Sequence, residues 1–450
     1  MMKRLSYRLY RLAYRLKAYL VRRFTRAGVF LLILLVFAAI LGVETKLSMV
    51  FQVFTFTVFL LLIAFLLSLR MRGKFDFQRH LPRFATAGMP FQYNISIHNH
   101  YGRRYDTLNL IDEFEGTSLT YHEFLQLKPS SPFPKTSRRR KSGWSRWLDL
   151  LGRKQGAPKE PQKHVDLQPN EVKDLRLEML PLRRGRIRLS GISLARPDPL
   201  GLCYARHFKQ VQQSILVLPK RYSIPPIQMP GGRKHHSGGI ALTSSVGESE
   251  EVVSLREYRP GDPLRKFHWK SWAKTGKPIV KEYQEEFFVR HVLILDTFVS
   301  ENQTEAFEEA ISLAASFACT VQTQESLLDL IFVGLEVYCF TAGRGLGQTD
   351  KILEVLADVQ PCDTKPFDAL FPTVMSKATY CSGSICIFAS WDEQRQKLVQ
   401  LLRQLDIPVF VFVILQPDDT TNPDPGPLSD VADNFHVLRA GEIDMGLAQL

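Results

Sequence analysis

Two apolar runs with only Glu44, Thr45 and Lys46 between them constrain this chain more than any other feature. Ala27–Val43 reads AGVFLLILLVFAAILGV, and Leu47–Leu69 reads LSMVFQVFTFTVFLLLIAFLLSL. A helix rises about 1.5 Å per residue and a hydrocarbon core is about 30 Å thick, so the second run can cross it and the first only just can. The short link predicts a transmembrane helical hairpin over residues 27–70. A cleaved signal peptide is the weaker reading, because a second span follows at once and no small-residue cleavage pattern closes the first.

The charge pattern orients this hairpin. Residues 1–26 hold nine Lys or Arg and no Asp or Glu, and Arg70, Arg72, Lys74, Arg79 and Arg83 follow the second run. Positive residues at both outer ends predict a multi-pass protein of the cell (inner) membrane with both termini cytoplasmic. Leu5, Leu9, Leu12, Leu16 and Leu20 recur at helical spacing among the basic residues. That pattern suits a helix lying on an anionic lipid surface, with membrane lipids as its partner. The formal net charge is +13, and without residues 1–26 and 129–164 the remainder carries −4. The folded body is therefore mildly acidic, which weighs against a general nucleic-acid binder.

After the hairpin the hydrophobic period drops to two. In FQYNISIHN (Phe91–Asn99), apolar Phe91, Tyr93, Ile95 and Ile97 alternate with polar residues. TLNLIDEF, DLRLEML and GRIRLSGISLARPDPLGL continue the pattern, so residues 75–220 read as a small antiparallel β-sandwich or barrel. A Pro-, Ser-, Lys- and Arg-rich insertion at 129–164 interrupts it, with an amphipathic turn expected at Trp144, Trp147 and Leu150. Residues 287–450 alternate continuous apolar strands with amphipathic helices, which means a mainly parallel sheet covered on both faces. Ligands of such sheets sit at the carboxyl ends of strands, so the loop LDTFVS (Leu295–Ser300) is the first place to look. The six cysteines have no regular spacing and four of them fall in apolar runs. Reduced thiols in a cytoplasmic domain are expected, and a zinc site is not.

Between these parts, residues 221–286 form a linking segment with SLREYRPGDPLRKFHWKSWAKTGKPIVKEY at its centre. Asp262 as N-cap, Pro263 at the first helical position and Gly276 past the end predict one capped helix. Leu264, Arg265, His268, Trp269 and Trp272 would then share neighbouring ridges. Two roles fit: a clamp between domains, or a docking surface for a partner. Arg256, Glu257, Tyr258, Gly261, Asp262, Arg265, His268, Trp269, Lys281 and Glu282 are the residues assigned to that role.

The ordered set Arg-x-Tyr, Pro-Gly-Asp, Arg, His-Trp and Lys-Glu, after a strand segment ending Asp-Pro-x-Gly-Leu, resembles the signature of the bacterial and archaeal family called domain of unknown function 58. The resemblance implies a membrane anchor and a C-terminal part like von Willebrand factor A, a doubly wound α/β sheet. It also implies a partner, because family members are often encoded beside AAA+ ATPases of the MoxR type. Von Willebrand A domains commonly hold Mg²⁺ with Asp-x-Ser-x-Ser and distant Thr and Asp residues. Here Asp296 and Ser300 match, Thr364 is the candidate distant hydroxyl, Phe298 replaces one serine, and Asp392 lies one position late. The site is degenerate, and Mg²⁺ is the only cofactor it raises.

There is no Gly-x4-Gly-Lys-Ser/Thr, no Gly-x-Ser-x-Gly elbow and no Cys-His constellation. The expectation is a membrane-tethered, non-enzymatic adaptor or scaffold on the cytoplasmic side, working with a MoxR-type AAA+ ATPase in protein maturation or complex assembly. The alternatives are a Mg²⁺-dependent protein-binding module and, last, a membrane-associated nucleic-acid binder using residues 129–164.

Overall fold

The computed structural model describes residues 2–41, 48–69, 73–115, 120, 147–148, 151–152, 154–158, 160–225, 252–283, 290–299, 303–323, 327–334, 336–342, 346–362, 365–378, 381–419 and 421–449. Two compact units emerge, Met1–Arg221 with Leu353–Val359, and Tyr222–Ile352 with Gln360–Leu450.

The first unit opens with three helices, α1 (Met2–Arg23), α2 (Arg26–Leu41) and α3 (Ser48–Ser68). Thr25 caps α2, its hydroxyl accepting the Gly28 N–H at 3.1 Å, which separates α2 from α1. The apolar side chains of α2 and α3 mostly face outward: Phe30, Phe37, Phe56 and Phe59 are all exposed. Water does not tolerate so large a continuous apolar surface. Among the described residues only Met49–Ser68 is long and apolar enough to cross a membrane, while Arg26–Leu41 has 16 residues, short of the expected Ala27–Val43. Residues 42 and 43 lie outside the described ones.

The strands of this unit form two sheets, antiparallel as the alternation suggests except for one parallel pair, Phe84–Thr86 against residues 216–218. One has order β1–β3–β6, from β1 (Phe75–His80), β3 (Phe91–Asn99) and β6 (Val172–Met179). The other has order β2–β8–β7–β4–β5, from β2 (Phe84–Thr86), β4 (Tyr105–Phe114), β5 (Gln162–Leu167), β7 (Gly185–Pro197) and β8 (Tyr204–Leu218). Ile95 pairs with Leu175 and Ile97 faces Phe77, so one face of β3 feeds a core shared with Leu110, Ile192 and Val217. A buried ion pair crosses that core: Arg79 Nε donates to Asp112 at 3.1 Å, Arg79 Nη1 to the Val211 carbonyl at 2.9 Å, and the Tyr93 hydroxyl to Asp112 at 2.6 Å. Burial pushes the Asp112 carboxyl and the Tyr93 hydroxyl upward in pKa. Held by the Arg79 guanidinium on both oxygens and by the Tyr93 hydroxyl, Asp112 is a paired structural group.

The Asp-Pro-Leu-Gly-Leu stretch is the turn between β7 and β8, and it explains its own residues. Asp198 Oδ1 accepts the N–H groups of Leu202 and Cys203, both at 2.7 Å, and Gly201 takes φ 68°, which favours glycine. The turn meets the α1–α2 junction, with Thr25 N–H donating to the Leu202 carbonyl at 3.0 Å. A Cβ on Gly28 would lie 2.0 Å from that same oxygen, so only glycine permits the approach. Leu202 and Cys203 then pack with Leu61 and Ala64 of α3 and Leu31 and Leu35 of α2. Within the 129–164 insertion, Trp147 and Leu151 are buried against Tyr7, Tyr10 and Tyr14 of α1, while Trp144 and Leu150 fall outside the described residues.

The second unit carries a six-stranded sheet of order β13–β12–β11–β14–β15–β16. Its strands are β11 (Arg290–Leu295), β12 (Leu327–Val333), β13 (Val337–Ala342), β14 (Gly383–Phe388), β15 (Val409–Leu415) and β16 (Phe435–Arg439), parallel except for edge strand β13. Both faces are covered, as continuous apolar strands demand. Val411 and Val413 of β15 join a core with Leu398 and Leu402, whereas Phe412 between them meets Phe317 at 5.0 Å between ring centroids. Those partners come from α8 (Glu393–Gln404) on one face and α5 (Thr304–Thr323) on the other; α4, α6 and α7 are Trp269–Thr275, Leu346–Asp358 and Phe371–Ala378. All six cysteines are free thiols.

Candidate docking surface and sheet edge

Residues 252–283, which fall within the second unit, build a small platform. β9 (Val252–Glu257) and β10 (Ile279–Tyr283) pair antiparallel, setting Lys281 opposite Leu255 and Glu282 opposite Ser254. The intervening chain does not form the single capped helix expected from Asp262. A 3₁₀ turn spans Leu264–Lys266, Phe267 is extended, and α4 begins only at Trp269 with His268 at its N-cap position. Gly276 ends α4 at φ 70°, as the sequence predicts.

Asp262 fails as the helix cap because its carboxylate is engaged elsewhere. Arg256 Nη1 and Nη2 grip its two oxygens at 2.8 and 2.7 Å, and the Arg259 N–H donates at 2.9 Å. This forked pair pins the Pro260–Gly261 turn, where Gly261 takes φ 107°. The Arg256 guanidinium and the Arg259 N–H hold the Asp262 carboxyl down at about 2. Glu257 instead meets Lys277 at 3.1 Å, an exposed pair worth little. His268 Nδ1 lies 2.6 Å from the Ser271 hydroxyl.

A ladder of aromatic rings rests on this frame. Phe267, buried over Val280, contacts Tyr258 at 5.2 Å, Trp272 at 5.3 Å and Trp269 at 5.4 Å between centroids, and Trp269 stacks on Trp272 at 5.4 Å. The outer rung is open: Trp269 is 63% and Leu264 69% exposed, with exposed Arg259, Arg265, Lys270 and Lys274 in the same segment. A rigid indole and a leucine at the surface of a preorganised frame, in a cationic setting, form the arrangement from which interface anchors are made.

The carboxyl edge of the sheet has the opposite character. Asp296, just past β11, is fully buried, and its Oδ2 accepts Arg395 Nε at 3.0 Å and Nη2 at 2.9 Å. The Phe298 N–H donates to its Oδ1 at 2.9 Å. Arg395 also donates to the Phe298 carbonyl at 3.1 Å and to Asp392, and its guanidinium lies 4.5 Å from the Phe367 ring centroid. Burial raises the Asp296 carboxyl pKa, against the pull of the guanidinium and the backbone donors. Asp392, the late second acid, caps α8 by accepting the Arg395 N–H at 3.1 Å.

Ser300 and Thr364 lie outside the described residues. What is described does not fit a divalent cation: a guanidinium already sits on the Asp296 carboxylate, and Phe298 supplies no oxygen from its side chain. Among the described residues no group of three or more His, Cys, Asp or Glu is placed to hold a metal. Sequence reasoning missed Arg395, although its signal was present. Arg395, Leu398, Val399 and Leu402 share one helix face, so a charged residue sits in an apolar stripe and calls for a buried partner.

Residues 254–373 match the family model described as protein of unknown function DUF58. The curated uncharacterized protein YeaD of Bacillus subtilis (strain 168) is 26% identical over 190 residues, which span 41% of this chain and 45% of that protein. Among solved structures, the CARDB domain of the PF1109 protein of Pyrococcus furiosus, in complex with di-metal ions, aligns with 32% of this chain and 93% of its own at 11% identity. Its TM-score is 0.18, which carries no argument about fold or metal here.

Proposed function

We propose that this chain is a membrane-tethered, non-enzymatic adaptor whose linking segment docks a partner protein. The observation behind it is the exposed Trp269–Leu264 surface on a frame locked by Arg256 and Asp262. Hot spots of protein interfaces are enriched in tryptophan and arginine on preorganised supports. Asp262, Gly261 and Arg256 act as the frame, and Trp269, Leu264 and Arg265 face the partner.

The tether in this reading is the α2–α3 hairpin in the inner membrane with both termini cytoplasmic, supported by its outward apolar surface and basic flanks. The partner is a MoxR-type AAA+ ATPase, as the sequence resemblance implies, and the process is protein maturation or complex assembly. Affinity capture of the detergent-solubilised full chain from its host, with and without ATP and Mg²⁺, tests it. Recovery of an AAA+ ATPase that depends on nucleotide is expected, and its absence under every condition would refute the partner. The Mg²⁺-dependent module has the Arg395 guanidinium on Asp296 against it.

A further inference from the structure

Helix α1 presents three rows of side chains with three chemistries. Tyr7, Tyr10 and Tyr14 pack against buried Trp147 and Leu151, with Tyr10 stacked at 6.0 Å and Tyr7 at 5.9 Å from the indole centroid. Two residues onward, almost opposite at 100° per residue, Leu9, Leu12 and Leu16 are 58%, 65% and 56% exposed. Arg4, Arg8 and Arg15 are exposed along the flank between these rows, and the helix contains no acidic residue. At its C-terminal end Arg22 pairs with Glu160 at 3.0 Å, and Thr25 hands the chain directly to apolar α2.

We propose that α1 is an interfacial helix that reads an anionic lipid surface, with Trp147 of the insertion fixing which way it faces. The leucine row enters the headgroup–acyl boundary and the arginine row meets lipid phosphates, while the tyrosine row stays on the protein. Two observations choose this occupant: the cationic flank complements anionic headgroups, and the exposed leucine row lies on the helix that Thr25 joins directly to α2, whose apolar side chains are exposed as well. The proposal rests on the tether reading above, and it assigns a task to Trp147, which otherwise lies in an insertion of unexplained purpose.

The test uses the full chain reconstituted in vesicles of phosphatidylcholine alone or with phosphatidylglycerol, with brominated acyl chains as quenchers. The parent, Leu12→Trp and Tyr7→Trp are compared. In anionic vesicles the added indole of Leu12→Trp should lose roughly half its emission, and that of Tyr7→Trp should not. Replacing Arg4, Arg8 and Arg15 by Gln should weaken this insertion by about fivefold per charge, and raising salt should mimic the substitution. In a Trp147→Ala background the contrast between the two reporters should shrink, and an unchanged contrast would overturn the role given to Trp147. A chain that co-floats with vesicles while Leu12→Trp escapes quenching overturns the interfacial helix alone. A chain that fails to co-float removes the tether as well.

Discussion

The carboxyl edge of the α/β sheet and the β9–β10 platform are built from the same materials, arginine, aspartate and aromatic rings, and they use them in opposite ways. At the sheet edge Arg395, Asp296, Asp392 and Phe367 satisfy one another, with the Arg395 side chain 6% exposed and that of Asp296 fully buried. On the platform the Arg256–Asp262 pair is a partly exposed brace, and the aromatic ladder it supports ends in an open tryptophan. An α/β sheet normally receives ligands at its carboxyl edge. Here the Asp296 carboxylate at that edge is taken up by a residue of the chain itself, whereas the platform leaves Trp269 and Leu264 exposed.

The largest expected effect breaks the closed edge. Arg395→Met strands the buried Asp296 carboxylate and should cost about 3–5 kcal/mol in chemical denaturation of the full chain. Asp296→Leu combined with Arg395→Met should recover much of that loss, and a double-mutant cycle showing no coupling would contradict the assigned pair. Next, Leu264→Ser should change stability by less than about 0.5 kcal/mol because its side chain lies largely in solvent, and Trp269→Ala by about 1 kcal/mol, the worth of its stacking on Phe267 and Trp272. A large destabilisation would mean that the ladder is clamped and not open.

A smaller effect concerns pH at the brace. The folded-state pKa of Asp262 is held at about 2, below the roughly 3.9 of an unfolded chain. Its stabilisation is therefore complete above the unfolded value and is lost as pH falls through about 2. Hydrogen exchange across residues 254–283 should stay constant from neutral pH to about pH 5, after correction for intrinsic rates, and Asp262→Asn should lose protection at neutral pH. The smallest effect is nil: millimolar Mg²⁺ should leave the melting temperature of the wild type unchanged, whereas a saturable rise would show that a cation competes with Arg395.

Much of the architecture was legible because it depends on repetition. The alternation in Phe91–Asn99 marked β3 as a strand with one apolar face, and continuous apolar runs such as PVFVFVIL marked strands buried on both faces. Local rules failed where a distant partner intervened. Asp262–Pro263 carries the signals of a helix start, but Arg256, six residues upstream, captures the carboxylate and delays the helix to Trp269. Asp296 matches a metal motif in sequence, yet its partner Arg395 is 99 positions away and no spacing rule connects them. The Asp198–Leu202 stretch read as a strand end, and its docking against Gly28 depends on an approach that only the fold supplies.

The central claim is that the open rung of the platform is a docking surface. The measurement that tests it most directly is the affinity of the ATP-dependent partner captured by the wild type, compared with Trp269→Ala and Leu264→Ser chains of verified stability. A loss of at least 2 kcal/mol, about thirtyfold in Kd, is expected for Trp269→Ala. Undiminished affinity in both variants would contradict it and make the platform purely architectural.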